Sequence, residues 1–555
     1  MSETVTIYCK NNNTYKEVPI GSSLLDIYEA VGSPLPHRPM NALVNNRTES
    51  LNFVCWQPKD VEFVDYTSLS GLRTYVRSLC HIFSKAVHDI WPNATLNLEH
   101  PVSNGYYAVV HNGKEVNAEL VEKIKQRMQE LIDADLPFKH KSMRTEEATV
   151  MFRHLGLNDK ARLIETSGML YTSYYELDGY VNFFYGCLTP STGYIHLFDL
   201  VPYMDGVLLR IPEQKDPSTL RPVIKQDKMF HAYKEHLMLQ RAVGLENVGD
   251  LNLAISKGHS QDLILVSEAM QEKQVAKIAE EIANRYQEGV RIVLISGPSS
   301  SGKTTFCKRL QVQLTTNLIR PVGLSLDDYF LNRVDTPKDE DGEYDFESLY
   351  ALDLPYFNSD LKKLLNGEEV NLPTFDFGTG QRIYKGNKLK MADNSVLVIE
   401  GIHALNPKLT EFIDDKYKYR VYVSVLTSIS LDYHNWIPTT DNRLIRRIIR
   451  DYSFRGYSAE DTINRWASVR RGEDKWIFPY QENADAMFNS AMLYELAALR
   501  KYAEPMLSEV KENSKANAEA YRLLRFLRYF NYIPSAQLPK TSLLREFLGG
   551  GSFKY

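Results

Sequence analysis

Cysteine is scarce in this chain and is never arranged in close pairs. The sequence has five cysteines, and no two of them form a C-x-x-C motif. They are Cys9, Cys55, Cys80, Cys187 and Cys307. A sparse, odd set of this kind excludes a disulfide scaffold and a cysteine-rich zinc site, and it is typical of a reducing compartment.

Long hydrophobic runs and a strong net charge are also missing. The longest apolar runs, such as Val396–Ile399, are too short to cross a bilayer, and the polar start MSETVTIYCKNNN lacks the hydrophobic region of a signal peptide. The 65 basic residues are balanced by 70 acidic ones, so no global cationic field attracts nucleic acid or membrane, although a local basic face stays open. We expect a soluble, cytoplasmic protein without a membrane partner.

The length of 555 residues predicts two to four domains, and 43% apolar with 24% charged residues is an ordinary globular composition. Alternating hydrophobicity over residues 1–66 indicates a small β-rich α+β module. Mixed helices and strands are predicted over 67–225, a helical connector over 226–288, and a further domain over 289–555. The polar, proline-containing stretch Pro212–Pro222 marks a domain edge.

From Val290 onward, short apolar strands alternate with helices. The strand candidates are RIVLIS, PVGLSL, SVLVIE, YRVYVSV and ADAMFN. Buried strands separated by helices predict an α/β domain with a doubly wound parallel sheet. An amphipathic helix is predicted over Ala518–Phe530, and the glycine run in the ending LLREFLGGGSFKY predicts a mobile end.

One segment matches the phosphate-loop motif G-x-x-x-x-G-K-[ST] without a mismatch. It comprises Gly297, Pro298, Ser299, Ser300, Ser301, Gly302, Lys303 and Thr304. The segment follows the strand RIVLIS and opens the helix TTFCKRLQVQL, which is the setting that the motif requires. Backbone N–H groups turn around the phosphates, Lys303 neutralises phosphate charge, and Thr304 offers its hydroxyl to Mg²⁺. We expect ATP or GTP to bind here, with Thr305 in the same cradle.

Acidic residues end two strands that neighbour the phosphate loop. PVGLSL is followed by Asp327 and Asp328, and SVLVIE ends in Glu400. A carboxylate at these positions can accept a proton from a hydroxyl nucleophile or hold Mg²⁺ beside the γ-phosphate. Taken alone, Asp327 also fits a helix cap and Glu400 a structural acid. The adjacent phosphate loop favours the catalytic interpretation.

Arginines are concentrated in the segment NRLIRRIIRDYSFRG. Arg443, Arg447 and Arg450 fall at i, i+4 and i+7 on one helical face, with Arg446 beside them and Arg455 just beyond. Such a stripe on a mobile helix suits a lid that closes over ATP, excludes water and stabilises transferring charge. The alternative interpretation is a solvated basic face.

Six segments between Val290 and Asn489 carry a shared set of motifs. They are GPSSSGKTT, SLDDYF, EYDFES, LPTFDFGTGQR, VLVIEGIHAL and DNRLIRRIIRDYSFRG. In this order they resemble the uridine kinase/phosphoribulokinase family of P-loop kinases. The resemblance implies that Asp327 is the base that activates the 5′-hydroxyl of a nucleoside. It also implies that Asp345 contacts the ribose hydroxyls and that Phe375 and Phe377 pack on the base. Arg447 and Arg450 would contact the transferring phosphoryl group, Arg447 also the substrate, and Arg455 the nucleotide. Mg²⁺ would be held by Thr304, Asp327 and Glu400.

Two positions depart from the family pattern. Uridine kinases usually read the pyrimidine with a histidine a few residues after the aromatic–Asp–Phe motif, and that position is Gly380 here. A further lid arginine is replaced by Tyr457. The nucleoside is therefore left open. A sugar-phosphate kinase similar to phosphoribulokinase is the alternative within enzymes, and it needs a cationic pocket for the phosphate of its substrate.

The N-terminal half resembles two modules of threonyl-tRNA synthetases. Residues 3–66 resemble the TGS module, a small β-grasp-like fold, and residues 66–210 resemble the second additional, editing-like domain. The resemblance puts the four editing groups, normally three histidines and a cysteine, at Arg77, His81, Phe184 and Leu188. Only the histidine is kept, and arginine, phenylalanine and leucine cannot activate water. We expect the editing chemistry to be lost.

A binding, oligomerisation or regulatory role is then left for the N-terminal half. Dense aromatic residues over Tyr171–Tyr203 could stack on RNA bases, although no basic run accompanies them and most such rings form cores. An RNA-binding regulatory ATPase is the alternative from another class of protein. A homo-oligomer is also open.

Overall fold

The computed structural model describes residues 3–32, 35–113, 115–340 and 342–554. Within these ranges, no helix combines the length and the apolar character that a bilayer crossing requires.

The N-terminal module is a mixed five-stranded sheet with one helix. Its elements are β1 (Thr4–Cys9), β2 (Thr14–Pro19), β3 (Ser22–Ser23), α1 (Leu24–Val31), β4 (Pro39–Val44), β5 (Arg47–Glu49), β6 (Val54–Cys55) and β7 (Lys59–Asp65). The sheet order is β2-β1-β7-β4-β5, with β1 parallel to β7. Ser23 and Asp26 form a capping box that starts α1. This arrangement confirms the predicted β-grasp-like module.

The second region packs two sheets around a long buried helix. Its elements are α2 (Leu69–Ile90), β8 (Thr95–Val102), β9 (Gly105–His111), α3 (Ala118–Asp133), β10 (Lys139–Arg144), α4 (Thr145–His154), α5 (Asn158–Thr166), β11 (Tyr171–Leu177), β12 (Tyr180–Asn182), β13 (Asp199–Tyr203) and β14 (Gly206–Arg210). The sheet orders are β13-β14-β9-β8 and β10-β11-β12. Strand β12 ends at Asn182, because the Asn182 side chain accepts a hydrogen bond from the N–H of Phe183 and interrupts the ladder.

Three helices connect this region to the C-terminal sheet. They are α6 (Asp227–Ala242), α7 (Val248–Ser256) and α8 (Ser260–Gln287). The second of them, α7, starts with a capping box formed by Asn247 and Asp250. Val275 and Ile282 of α8 lie in the same buried core as Leu310 of the phosphate-loop helix. The connector is therefore part of the core and not a linker.

The C-terminal region is a five-stranded parallel sheet covered by helices on both faces. Its elements are β15 (Ile292–Ser296), α9 (Lys303–Thr316), β16 (Arg320–Ser325), α10 (Leu354–Leu365), β17 (Val370–Asn371), β18 (Thr374–Asp376), β19 (Gln381–Ile383), β20 (Lys388–Leu389), β21 (Ser395–Glu400), β22 (Lys418–Ser424), α11 (Thr439–Phe454), α12 (Ala459–Trp476), β23 (Ala486–Asn489), α13 (Glu495–Ser508), α14 (Asn517–Leu527) and α15 (Arg545–Leu548). The sheet order is β16-β21-β15-β22-β23, and every pairing is parallel. This confirms the doubly wound α/β fold. The carboxyl ends of β15, β16 and β21 lie at one edge, which is where such folds bind ligands.

Three apolar residues just before the glycine run pack into the interior. Leu543, Leu544 and Phe547 are fully buried in the core that also contains α11. The guanidinium of Arg545, in α15, donates hydrogen bonds to the carbonyl oxygens of Ser535 and Leu538 and so ties α15 to the segment before it. These buried residues all precede the glycine run, and the mobility of the run itself stays a prediction.

The two halves of the chain are joined through the segment between β22 and α11. Lys160 of α5 forms a 2.8 Å ion pair with Asp432, and both side chains are 0% exposed. The N–H of Leu98 donates to the carbonyl of Tyr433, and Trp436 packs against Tyr106. The N-terminal half therefore holds the segment that leads directly into the arginine-bearing helix.

Candidate active site

The phosphate loop is shaped by two glycines that leave no room for a side chain. A Cβ at Gly297 would collide with the carbonyl of Val423, and a Cβ at Gly302 would lie 2.7 Å from Leu543 Cδ2. Gly302 also has φ of +86°, a left-handed value that favours glycine. The loop can therefore pack closely on its neighbours.

Polar groups of this loop fit the phosphates of a nucleotide. The hydroxyls of Ser300 and Ser301 are buried and have no hydrogen-bond partner among the described residues. The ammonium of Lys303 lies 3.3 Å from the carbonyl of Pro298, and Thr304 lies half-buried beside it in the first turn of α9. Buried donors without partners are rare in folded proteins, and phosphate oxygens would satisfy them.

The predicted acids lie at the ends of neighbouring strands. Ser325, two residues before Asp327, pairs with Glu400 across β16 and β21. Burial, opposed by the charge of Lys303 and aided by the charge of Asp327, raises the pKa of Glu400 to about 7. A cation would relieve this repulsion. The oxygens of Thr304, Asp327 and Glu400 fit Mg²⁺, which binds one or two carboxylates together with substrate phosphates.

The two aspartates after β16 have different surroundings. Asp328 Oδ1 accepts a 3.2 Å hydrogen bond from the N–H of Phe375, and burial raises the pKa of Asp328. Asp328 therefore holds β18 in place. Asp327 lies within electrostatic reach of Glu400 and Arg455, at the edge that carries the phosphate loop.

The structure divides the arginines of the segment NRLIRRIIRDYSFRG into a buried set and a set that gathers around one carboxylate. Arg443 and Arg446 are buried and form ion pairs with Glu473 and Glu495. Arg443 Nε also donates to the carbonyl of Ser299 at 3.0 Å. These two arginines support the loop from behind, and neither side chain is exposed to a ligand.

The second set gathers at a single carboxylate. Arg447, Arg450 and Arg455 lie 3.2, 2.8 and 3.8 Å from the oxygens of Asp451. Burial, together with the charge of Arg450, lowers the pKa of Arg455 to about 10. Arg447 also donates to the Ser299 hydroxyl of the phosphate loop. Guanidinium groups gathered there can stabilise charge on a transferring phosphoryl group.

Aromatic residues predicted to contact a base form a cluster beside these arginines. The rings of Phe375 and Phe377 pack edge to face at 5.2 Å, and Phe330 lies 5.7 Å from Phe375. Phe377 is 46% exposed, and the guanidinium of Arg455 lies 5.3 Å from its ring centre. Asp345 lies on the loop before α10, where its Oδ1 accepts the N–H of Glu347 at 3.2 Å and burial raises its pKa.

Both departures from the family pattern have defined surroundings in the structure. Gly380 has φ of +70°, and a Cβ there would lie 2.8 Å from Arg333 Nε. Arg333 Nη2 donates to the carbonyl of Phe377 at 3.0 Å. Arg333 therefore fills the space beside Gly380. The ring of Tyr457 lies 4.4 Å from the Arg465 guanidinium.

Three acidic residues of the site were missed by sequence reasoning. Asp451 is the one acidic residue in the arginine-rich segment NRLIRRIIRDYSFRG, and this isolation among arginines is a signal that could have identified it. Glu347 lies in the quoted motif EYDFES; burial raises its pKa to about 7, and its Oε2 has no hydrogen-bond partner among the described residues. Glu546 reaches the first turn of α9 from the end of the chain, and no local pattern announces it.

The four editing positions come together in the N-terminal half but form a packed interior. The His81 ring lies 5.4 Å from both Phe138 and Phe184, and burial lowers its pKa to about 3. Arg77 donates to the carbonyl of Cys187 at 3.0 Å, and Leu188 is buried. Aromatic rings occupy the space where a water and an ester would have to meet.

The fold and the site geometry define a P-loop protein with a nucleotide cradle and an adjacent acceptor region. The model of the phosphoribulokinase/uridine kinase family matches residues 292–496. A uridine kinase of Staphylococcus aureus is 30% identical over 195 residues, which cover 35% of this chain and 84% of that protein. The chain belongs to the phosphoribulokinase/uridine kinase family.

The remainder of the chain has different relatives. A threonine–tRNA ligase of Citrifermentans bemidjiense is 26% identical over 189 residues, which cover 34% of this chain and 30% of the ligase. The chain thus spans less than a third of the length of the ligases that it matches. A solved structure described as a possible uridine kinase from Bacillus stearothermophilus is 19% identical, with a TM-score of 0.26, and the match covers 38% of this chain and 98% of that one.

Proposed function

We propose that the protein is an ATP-dependent kinase that transfers the γ-phosphoryl group of ATP to the 5′-hydroxyl of a nucleoside. The observation that carries the proposal is the convergence at one sheet edge. The phosphate loop follows β15, Asp327 follows β16 and Glu400 ends β21. Arg447, one of the arginines held by Asp451, donates to Ser299 of the loop. A nucleotide switch needs neither a base nor an acceptor region.

Each group has a distinct task in this proposal. Lys303 and the loop N–H groups hold the β- and γ-phosphates, and Arg447 and Arg450 stabilise charge on the transferring group. The carboxylate of Asp327 accepts the proton of the attacking hydroxyl. Mg²⁺, when bound through Thr304 and the acids at the strand ends, neutralises phosphate charge.

The acceptor region, formed by Asp345, Phe375 and Phe377, favours a nucleoside as substrate through its shape more than through a specific polar contact. Phe375 and Phe377 offer an aromatic wall for a base, and Asp345 offers a carboxylate for ribose hydroxyls. No histidine reads the base at Gly380, because Arg333 fills that space. We therefore propose a base preference that differs from that of the family's usual pyrimidine site.

A sugar-phosphate acceptor is the second candidate, and Arg333 is the observation that favours it. Its guanidinium lies beside Gly380 and the carbonyl of Phe377, at the rim of the acceptor region. A guanidinium there can pair with a substrate phosphate. We expect Arg333→Ala to abolish activity on a sugar phosphate but to leave nucleoside phosphorylation within about tenfold.

ADP formation from ATP and Mg²⁺ across a panel of acceptors tests the proposal. The panel contains ribonucleosides, deoxyribonucleosides and ribulose 5-phosphate, and GTP replaces ATP in a parallel set. A nucleoside that accelerates ADP formation well above the rate without acceptor supports the proposal. Acceleration by ribulose 5-phosphate alone favours the second candidate. ATP hydrolysis that no acceptor accelerates contradicts both.

A further inference from the structure

The tail of the chain places a carboxylate against the phosphate loop. Glu546 Oε2 accepts hydrogen bonds from the backbone N–H of Thr305 at 3.0 Å and from its hydroxyl at 2.7 Å. Thr305 is the third residue of α9. The N–H groups of a first helical turn have no intrahelical partner, so they bind acceptors from outside the helix.

This donor belongs to the cradle that a nucleotide uses. In phosphate loops the backbone N–H groups of the loop and of the helix start bind the α- and β-phosphates. Thr305 follows Lys303 and Thr304, which serve the β- and γ-phosphates, so its N–H is the next donor along, toward the α-phosphate. A carboxylate and a phosphate cannot share one donor without strong repulsion between their charges.

Packing fixes the position of Glu546. The neighbouring side chains Leu543 and Phe547 are buried, and Leu543 lies directly over Gly302 of the loop. The Arg446 guanidinium, which supports the loop from behind, lies 5.1 Å from the ring centre of Phe547. The charge of Glu546 also contributes to the raised pKa of Glu400. The tail is thus packed against the phosphate loop as part of the folded core.

We infer that Glu546 is a residue of the nucleotide site that competes with the α-phosphate of the incoming nucleotide. ATP binds only when the carboxylate leaves Thr305. The apparent affinity for ATP is therefore the intrinsic affinity multiplied by the fraction of molecules in which Glu546 is disengaged. This inference rests on the proposed nucleotide site. It deepens that proposal by assigning the C-terminal tail a role in controlling nucleotide affinity.

Binding of ATP and of adenosine to the full-length protein tests the inference. Glu546→Gln keeps the size of the side chain and removes its charge. We expect calorimetric titration to show about tenfold tighter binding of ATP by this variant, with adenosine affinity unchanged because adenosine has no phosphate. Glu288→Gln is the matched control, since Glu288 is exposed after α8, just before the amino end of β15. It should bind ATP as the unmodified protein does.

Thermal unfolding of each variant confirms that it is folded, and Glu546→Ala provides a second test that should show the same tightening. Equal or weaker ATP binding by both Glu546 variants would overturn the inference while leaving the nucleotide site intact. An equal gain in adenosine affinity would overturn it as well, because the effect would then not concern phosphate. Absence of ATP binding in every protein would refute the nucleotide site itself, and the inference with it.

Discussion

Arg447 donates a hydrogen bond from Nη1 to the Ser299 hydroxyl at 2.9 Å, so the arginine-bearing helix and the phosphate loop are in direct contact. The same guanidinium pairs with Asp451, which also holds Arg450. One buried carboxylate therefore keeps these charges beside the loop, where they would otherwise repel one another.

Asp451→Asn should lower kcat about tenfold to a hundredfold, because the arginines lose the charge that gathers them beside the loop. Steady-state kinetics with an accepted substrate measures the effect. Asp393→Asn is the control, since Asp393 is exposed just before the amino end of β21. An unchanged kcat in Asp451→Asn would show that the arginines act independently of that carboxylate.

Lys303→Ala should lower kcat/KM by about 10²–10⁴, since this ammonium stabilises the transferring phosphoryl group. Its ammonium donates a 3.3 Å hydrogen bond to the carbonyl of Pro298 and forms no ion pair among the described residues, so the fold should survive. Turnover and the thermal unfolding midpoint are measured on the same preparation. Near-normal turnover in a folded variant would refute the role of the phosphate loop.

The full-length protein should leave mischarged threonine-specific tRNA intact. Hydrolysis of the ester needs a general base or an activated water, and the His81 ring is packed among Phe138 and Phe184. Release of the amino acid from labelled tRNA, compared with the rate without protein, provides the measurement. Release that is lost in His81→Ala would make the protein bifunctional.

His81 should also make the protein sensitive to acid. Burial, aided by the charge of Lys160, lowers its pKa to about 3 in the folded chain, against about 6.5 when unfolded. Between these values the unfolded chain binds a proton that the folded chain does not, so stability falls as the pH drops below about 6.5.

The loss from this histidine is about 2 kcal/mol between pH 7 and pH 5, at about 1.4 kcal/mol per pH unit below about 6.5. His81→Phe should therefore show a smaller fall in Tm over that interval. Comparing the fall in Tm between pH 7 and pH 5 in His81→Phe with that in the unmodified protein separates the titration of His81 from any effect of the substitution on packing, which is present at both pH values. Equal falls in Tm would show that His81 does not titrate on unfolding.

Much of the site could be predicted because it depends on local sequence. Gly297–Thr304 forms its loop from a contiguous motif, and Asp327 and Glu400 follow strands that the hydrophobic pattern identifies. Parallel strands then bring these positions to one edge. The resemblance likewise placed Phe184 near His81, and their rings are 5.4 Å apart.

The remainder depends on partners that are distant in the sequence. Whether Arg443 or Arg447 faces the nucleotide is decided by Glu473, which takes Arg443 into the interior. Glu546 and Thr305 are separated by 241 positions, and no helical or strand period relates them. Tertiary packing fixes such contacts, and a periodic pattern cannot show them.

In the proposed reaction, Asp327 activates a substrate hydroxyl for attack on ATP. The most direct test measures transfer of a radiolabelled γ-phosphate to an accepted nucleoside by Asp327→Asn, with ATP affinity determined in parallel. We predict a fall in turnover of about 10²-fold or more with little change in ATP affinity, while Asp328→Asn, whose amide oxygen can still accept the Phe375 N–H, keeps most of its activity. Full transfer by Asp327→Asn, or loss of transfer in Asp328→Asn alone, would contradict the account.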